Sequence, residues 1–270
     1  MNDVVSYVIE GEIAVVTVDN PPVNALSQAV RQGLLDAIRR AAGDDAKAVL
    51  ILCEGRTFIA GADITEFGKP MAEPFLPDLL NQIEASEKPV VAALHGTALG
   101  GGFETALASH YRVALDSARV GLPEVKLGLL PGAGGTQRAP RLAGVAASLE
   151  LILSGSPIPA ARAEQLGLVD KVVTGNLGEA ARHYVRELLD ADTPVRRTSE
   201  LPVEKVGDDV FDAAAAGVAK KARGQTAPQR IIECVRTAMT TPFNEGQQRE
   251  RELFMECMQD PQATALQHVF

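Results

Sequence analysis

Glu104 stands directly behind the run Gly100-Gly101-Gly102-Phe103, and between Lys88 and Arg112 it is the sole formally charged side chain. A lone carboxylate in apolar surroundings is costly, so a chain that keeps one there either hydrogen-bonds it or uses it for proton transfer. Glu104 is therefore the first candidate for acid–base chemistry. Glycines let the main chain approach a ligand closely. A helix over 103–109 would also turn the partial positive charge of its first amides toward an oxygen on which negative charge develops. The segment alone fits equally well a glycine-rich helix packed on a strand, with Glu104 in a buried salt bridge.

A second carboxylate sits in Val120-Gly121-Leu122-Pro123-Glu124-Val125, again among small and apolar residues. Two carboxylates in one cleft titrate as a coupled pair and can divide acid and base work. Glu124 taken alone also fits a turn carboxylate bonded to local amides. A third segment, Arg56-Thr57-Phe58-Ile59-Ala60-Gly61-Ala62-Asp63-Ile64, follows an apolar run at 48–53. Its small residues would leave peptide N–H groups facing a ligand and, with Gly101, could complete a two-donor oxyanion hole. Losing one such donor costs about 3–4 kcal/mol of barrier in other enzymes. On its own the segment is a plain glycine turn.

These groups need a scaffold. The β-branched or apolar runs at 13–18, 48–53, 90–94 and 111–115 predict buried strands. Ser27 can cap a helix over 28–42, where Val30, Leu34, Leu35 and Ile38 recur at helical spacing. Gly68, Pro70, Pro74 and Pro77 predict a surface loop over 67–78 bordering a ligand entrance, ahead of a helix at 79–85. Further helices are expected at 134–142, 145–154, 159–166 and 177–189. The repeating unit is strand, turn, helix. Because 20 of the 24 glycines fall at or before Gly178, a turn-rich core gives way to helices at 210–221, 228–239 and 242–258. The expected organisation is a core at 1–192, a linker at 193–202 and a helical region at 203–270.

A chain of 270 residues with 46% hydrophobic content can bury a sizeable core, and its net charge of −9 speaks against nucleic acid or an anionic membrane as partner. The first ten residues lack a signal-peptide pattern, and no stretch approaches the roughly 20 apolar residues of a membrane span, which predicts a soluble, cytoplasmic protein. Cys53, Cys234 and Cys257 are widely spaced, as are the four histidines, so no disulfide framework and no metal site is expected. Gly132-Ala133-Gly134-Gly135-Thr136-Gln137 begins like a dinucleotide fingerprint but lacks the third glycine. Gly96 and Gly101 have P-loop spacing without the Lys-Ser/Thr, and a G-x-S-x-G elbow is absent.

Three segments taken in order resemble the crotonase superfamily, specifically its enoyl-CoA hydratases. They are 58–64, Leu99-Gly100-Gly101-Gly102-Phe103-Glu104, and Gly121-Leu122-Pro123-Glu124 continuing through 127–137. The resemblance implies an α/β fold, the crotonase or ClpP-like spiral of ββα repeats with an α-helical C-terminal region, acting on an acyl-CoA thioester. It implies no separate cofactor, coenzyme A being part of the substrate. The oxyanion-hole amides fall on Ala62 and Gly101, and the catalytic glutamates on Glu104 and Glu124. Val23, Ala25, Leu26, Ala60, Asp63 and Ile64 match positions at the CoA end; Pro123, Leu127, Pro131 and Gly132 match positions at the thioester and acyl chain. Thr65 stands where many relatives carry Lys. The 20–25 segment and the C-terminal 252–270 look more like the hydratase module of multifunctional β-oxidation enzymes, in which a 3-hydroxyacyl-CoA dehydrogenase follows. The chain is then an isolated module or a piece of a longer protein, a monomer or small homo-oligomer. The competing activities are a Δ3-Δ2-enoyl-CoA isomerase in the same site, needing one carboxylate, and a non-catalytic acyl-CoA-binding module. In the expected hydration the two amides hold the thioester oxygen, Glu104 deprotonates water attacking C3, and protonated Glu124 supplies the proton at C2.

Overall fold

A computed structural model describes residues 2–63, 66, 70, 72–222 and 224–269. In chain order the strands are β1 (Val5–Glu10), β2 (Ile13–Val18), β3 (Ala48–Cys53), β4 (Val90–Leu94), β5 (Thr97–Leu99), β6 (Tyr111–Leu115), β7 (Arg119–Gly121), β8 (Ile158–Pro159) and β9 (Lys171–Val173). The helices are α1 (Gln28–Gly43), α2 (Leu76–Glu84), α3 (Gly101–Ala108), α4 (Gly135–Ala143), α5 (Val145–Ser154), α6 (Ala160–Gln165), α7 (Leu177–Asp190), α8 (Asp208–Lys221), α9 (Ala227–Thr240), α10 (Phe243–Gln259) and α11 (Pro261–Val269). The chain forms two compact units, one of residues 1–120 with 159–198 and the other of residues 121–158 with 199–270. It passes between them within β7 and β8, and again after Thr198.

The first unit is built on a six-stranded sheet in the order β1-β2-β3-β4-β6-β9. β1 pairs antiparallel with β2; all other pairs are parallel. Parallel strands covered on both faces read as unbroken apolar runs, which is why β2, β3, β4 and β6 coincide with the expected spans. On one face Ile13, Val15, Leu50, Val91, Ala93 and Val113 pack against Leu177, Ala181, Val185 and Leu188 of α7. Burying a side chain such as Val185 or Leu188 contributes about 1.5–3 kcal/mol. α7 is capped by Asn176, whose side chain accepts from Glu179 N. α1 starts as expected, with Ser27 accepting from Val30 N.

β1 and α2 depart from the expectation. β1 is an edge strand on which only Val5 and Tyr7 are buried, so it lacks the long unbroken apolar run of the inner strands and its pairing with β2 makes it a strand. α2 begins at Leu76, inside the predicted loop, because Pro77 occupies the first turn, where its missing N–H has no partner to lose.

The second unit is helical. α4, α5 and α9 pack on one another, as do α9 and α10, with α8 against α5 and α9. Val145, Leu149, Ile152, Phe211, Ile231, Val235 and Leu253 are among its buried side chains.

Candidate active site

Two backbone segments converge in the first unit. Phe58 N donates to His95 O (2.8 Å) and Leu99 N to Ile59 O (3.2 Å), so the strand exit after β3 runs alongside the approach to β5. Thr57 locks the pair from the side, its hydroxyl donating to Thr97 O (2.5 Å) and accepting from Thr97 N (2.8 Å). Each segment then delivers one amide to the same place. A Cβ built on Gly101 would lie 4.0 Å from Ala62 N and 2.8 Å from Leu76 Cδ2, so Gly101 stands beside Ala62 under the tip of the Leu76 side chain. At Gly102 a Cβ would overlap the Ile59 carbonyl oxygen. Among the described residues neither Ala62 N–H nor Gly101 N–H has an acceptor. Gly101 opens α3, whose first amides have no partners within the helix.

The candidate CoA-end residues gather along the same edge. Ala60 N donates to Val23 O (3.2 Å) and Leu26 N to Gly61 O (2.9 Å), which lays Val23, Ala25 and Leu26 beside Ala60 and Ala62, with Asp63 next in the chain. Ile64 lies outside the described residues, as does Thr65. Residue 24 was missed as a builder of this edge. Asn24 is left-handed (φ 53°) and buried, its Nδ2 donating to Glu54 O (2.8 Å) and Thr57 O (2.9 Å) while its Oδ1 accepts from Asn20 N (2.8 Å). Asn-Pro-Pro-Val-Asn is turn chemistry, and asparagine tolerates this conformation; that was the available signal.

Glu104 lies in the first turn of α3 and is buried, with its amide donating to Gly100 O (2.8 Å). Every residue of α3 is buried. At its other end the fully buried Arg112 donates from Nη1 to Ala106 O (3.1 Å) and Ser109 O (2.7 Å), satisfying carbonyls that the helix leaves open. Asp170 offsets that charge at 3.3 Å and is shared with Arg196 at 2.5 Å.

Glu124 belongs to the second unit and opens a one-turn 3-10 helix, Glu124–Leu127, which ends at Gly128 in the left-handed region (φ 70°). Glu124, Pro123 and Leu127 are half-buried. α11 packs on this turn: a Cβ on Gly128 would sit 3.0 Å from Ala263 Cα and 3.1 Å from Leu266 Cδ1. Pro131 is buried and Gly132 half-buried; Phe254 of α10 comes so close that a Cβ on Gly132 would fall 2.6–2.9 Å from its ring. Gly134 and Thr136 amides, the part of the turn that resembles a dinucleotide fingerprint, are occupied by Glu250 of α10.

Among the described residues no cluster of three or more His, Cys, Asp and Glu is placed to hold a metal ion, and no helix is long and apolar enough to cross a membrane. Cys53, Cys234 and Cys257 are free thiols; burial pushes Cys234 well up and Cys257 to about 11.

Known proteins resemble this chain in sequence and fold. Residues 8–200 match the family described as enoyl-CoA hydratase/isomerase. The peroxisomal bifunctional enzyme of Danio rerio is 47% identical over 265 residues, covering 97% of this chain and 37% of that protein. A probable enoyl-CoA hydratase of Bacillus subtilis is 44% identical over 174 residues, 61% of this chain and 67% of its own. The structure of carnitinyl-CoA hydratase from Mycobacterium avium superposes with a TM-score of 0.72 at 28% identity, over 98% of this chain and 94% of the other. The architecture is thus the crotonase fold, mixed α/β with C-terminal helices. The chain belongs to the enoyl-CoA hydratase/isomerase family. It spans about 37% of the length of the bifunctional relative, whose name places that protein in peroxisomes and lends no support to a cytoplasmic location.

Proposed function

We propose that the chain is an enoyl-CoA hydratase, adding water across the 2,3 double bond of a 2-enoyl-CoA to give a 3-hydroxyacyl-CoA. The observation that carries this reading is the pair of amides at Ala62 and Gly101, brought together from two segments and without acceptors among the described residues. Preorganised donors of this kind stabilise the oxyanion of an enolate-like transition state without reorganising during reaction. They hold the thioester oxygen. Glu104 takes a proton from water as its oxygen bonds to C3, the π electrons move toward the thioester carbonyl, and Glu124 in its protonated form delivers a proton to C2. The balance is one water added and both carboxyls ready for exchange. Val23, Ala25, Leu26, Ala60, Asp63 and Ile64 serve the CoA end, and Pro123, Leu127, Pro131 and Gly132 the acyl end.

We further propose that the chain acts in fatty-acid β-oxidation as the hydratase part of a bifunctional protein whose 3-hydroxyacyl-CoA dehydrogenase lies elsewhere; the resemblance of the 20–25 and 252–270 segments to multifunctional enzymes supports this reading, and the Danio rerio relative, itself named bifunctional, agrees with its two-activity part. The test is the ultraviolet absorbance of the conjugated enone on adding a 2-enoyl-CoA. Hydration removes it. Absorbance gained from a 3-enoyl-CoA, with none lost from the 2-enoyl substrate, would make the protein an isomerase instead; no change with either would make it a binder.

A further inference from the structure

Along α10 the buried positions are Phe243, Gly246, Glu250, Leu253 and Cys257, a spacing of three and four that sets one carboxylate in an apolar stripe. Glu250 is completely buried. Its Oε1 accepts from Gly134 N at 2.6 Å and its Oε2 from Thr136 N at 2.9 Å, with the Thr136 hydroxyl also donating to Oε2. These are the amides at the start of α4, which the helix cannot satisfy itself and whose partial positive charge favours an anion. The donors that would cradle a phosphate in a nucleotide-binding turn are consumed by a side chain of the same unit. One turn further along α10, Phe254 presses on Gly132. Two residues four apart on one helix therefore hold both ends of the 132–134 segment.

We infer that Glu250 is a positioning residue that sets acyl-chain selectivity: by gripping the Gly134 and Thr136 amides it fixes where Pro131 and Gly132 stand. The inference rests on the hydratase reading, with Pro131 and Gly132 at the acyl chain. Glutamine in place of Glu250 puts an NH2 group opposite one of the two N–H donors, so one amide loses its acceptor and the peptide must turn. Alanine removes both acceptors. A displaced wall alters long and short chains unequally.

The experiment measures kcat and KM of wild type, Glu250→Gln and Glu250→Ala with crotonyl-CoA and with a long-chain 2-enoyl-CoA. The expected result is a change of at least roughly tenfold in the ratio of the two kcat/KM values, the lower end of what a reshaped pocket wall is worth. Added formate should move Glu250→Ala back toward the wild-type ratio, with chloride as control. If Glu250 serves stability alone, the variants contain less folded enzyme; kcat then falls equally for both substrates, KM and the ratio stay put, and the inference is overturned. Should neither variant fold, Phe254→Leu loosens Gly132 while leaving the carboxylate in place and must shift the same ratio; an unchanged ratio there also overturns it. A wild-type chain that leaves both enones untouched fails the hydratase reading itself and takes this inference with it, a result distinct from an active enzyme with an unmoved ratio.

Discussion

The two candidate carboxyls are held in contrasting ways. Glu104 is sealed into a helix whose every residue is buried, with Gly102 against the Ile59 carbonyl at one end and the Arg112 guanidinium on its last carbonyls at the other. Glu124 is half-buried on a single 3-10 turn, braced by α11 and by the left-handed Gly128. A group that must aim a small nucleophile gains from rigidity, since misplacement forfeits the entropy already spent on orientation. One that hands a proton to a carbon on a long, variable substrate tolerates give. The first carboxyl is thus set by packing density and the second by a turn with a helix behind it.

The largest effect should come from removing either acid: Glu104→Gln and Glu124→Gln should each lower kcat by about 10²–10⁴, with acyl-CoA binding changed little in titration calorimetry. The contrast sharpens with aspartate. Glu104→Asp, withdrawn into an unyielding cage, should lose at least roughly tenfold more kcat than Glu124→Asp, an interval of about 1.4 kcal/mol; equal losses would show that the two settings are equally stiff.

Next in size, Gly102→Ala forces a methyl onto backbone and should cost about 1–3 kcal/mol or more of stability. Gly128→Ala pays left-handed strain of about 1–2 kcal/mol and crowds Ala263. Denaturant midpoints would rank them, and a Gly128→Ala that unfolds more readily than Gly102→Ala would invert the comparison.

A smaller effect follows from His110, fully buried just after α3, where Nδ1 accepts from Val90 N (2.9 Å) and Nε2 donates to Glu84 O (2.9 Å). Burial holds its pKa below the ordinary value, with Glu84 opposing and Arg197 and Arg112 reinforcing the shift. The unfolded chain takes up a proton near pH 6.5 and the folded one resists, so this contribution is whole above that pH and fades as pH falls toward the folded value. Melting temperatures measured downward from neutrality should drop less steeply for His110→Gln than for wild type. The smallest effect belongs to Arg182, paired at the surface with Glu10 at 2.6 Å. Arg182→Ala should cost under about 1 kcal/mol and less at high salt.

The motif-bearing segments were legible because each carries its own chemistry: three consecutive glycines ahead of a lone acid, a small-residue run after a strand, and apolar strands covered on both faces. What escaped depends on distant partners. β1 has Val8 and Ile9 exposed and owes its extended form to β2. α11 went unrecognised because its buried contact is with Gly128, far back in the chain. Glu250 is the instructive omission: its place in the stripe with Gly246 and Leu253 is readable in the sequence, but Arg249, Arg251 and Glu252 beside it carry the charge pattern of a solvated face. The pairing of Ala62 with Gly101 was expected from the resemblance, whereas the Thr57 and Asn24 bonds that enforce it needed coordinates.

The seating of Ala263 and Leu266 on the turn behind Glu124 ties the proposed proton donor to a segment some 140 positions later. Anything fused, trimmed or tagged at that tail tugs on the acid, so a bulky appendage should register first as slower turnover in a protein that still melts normally.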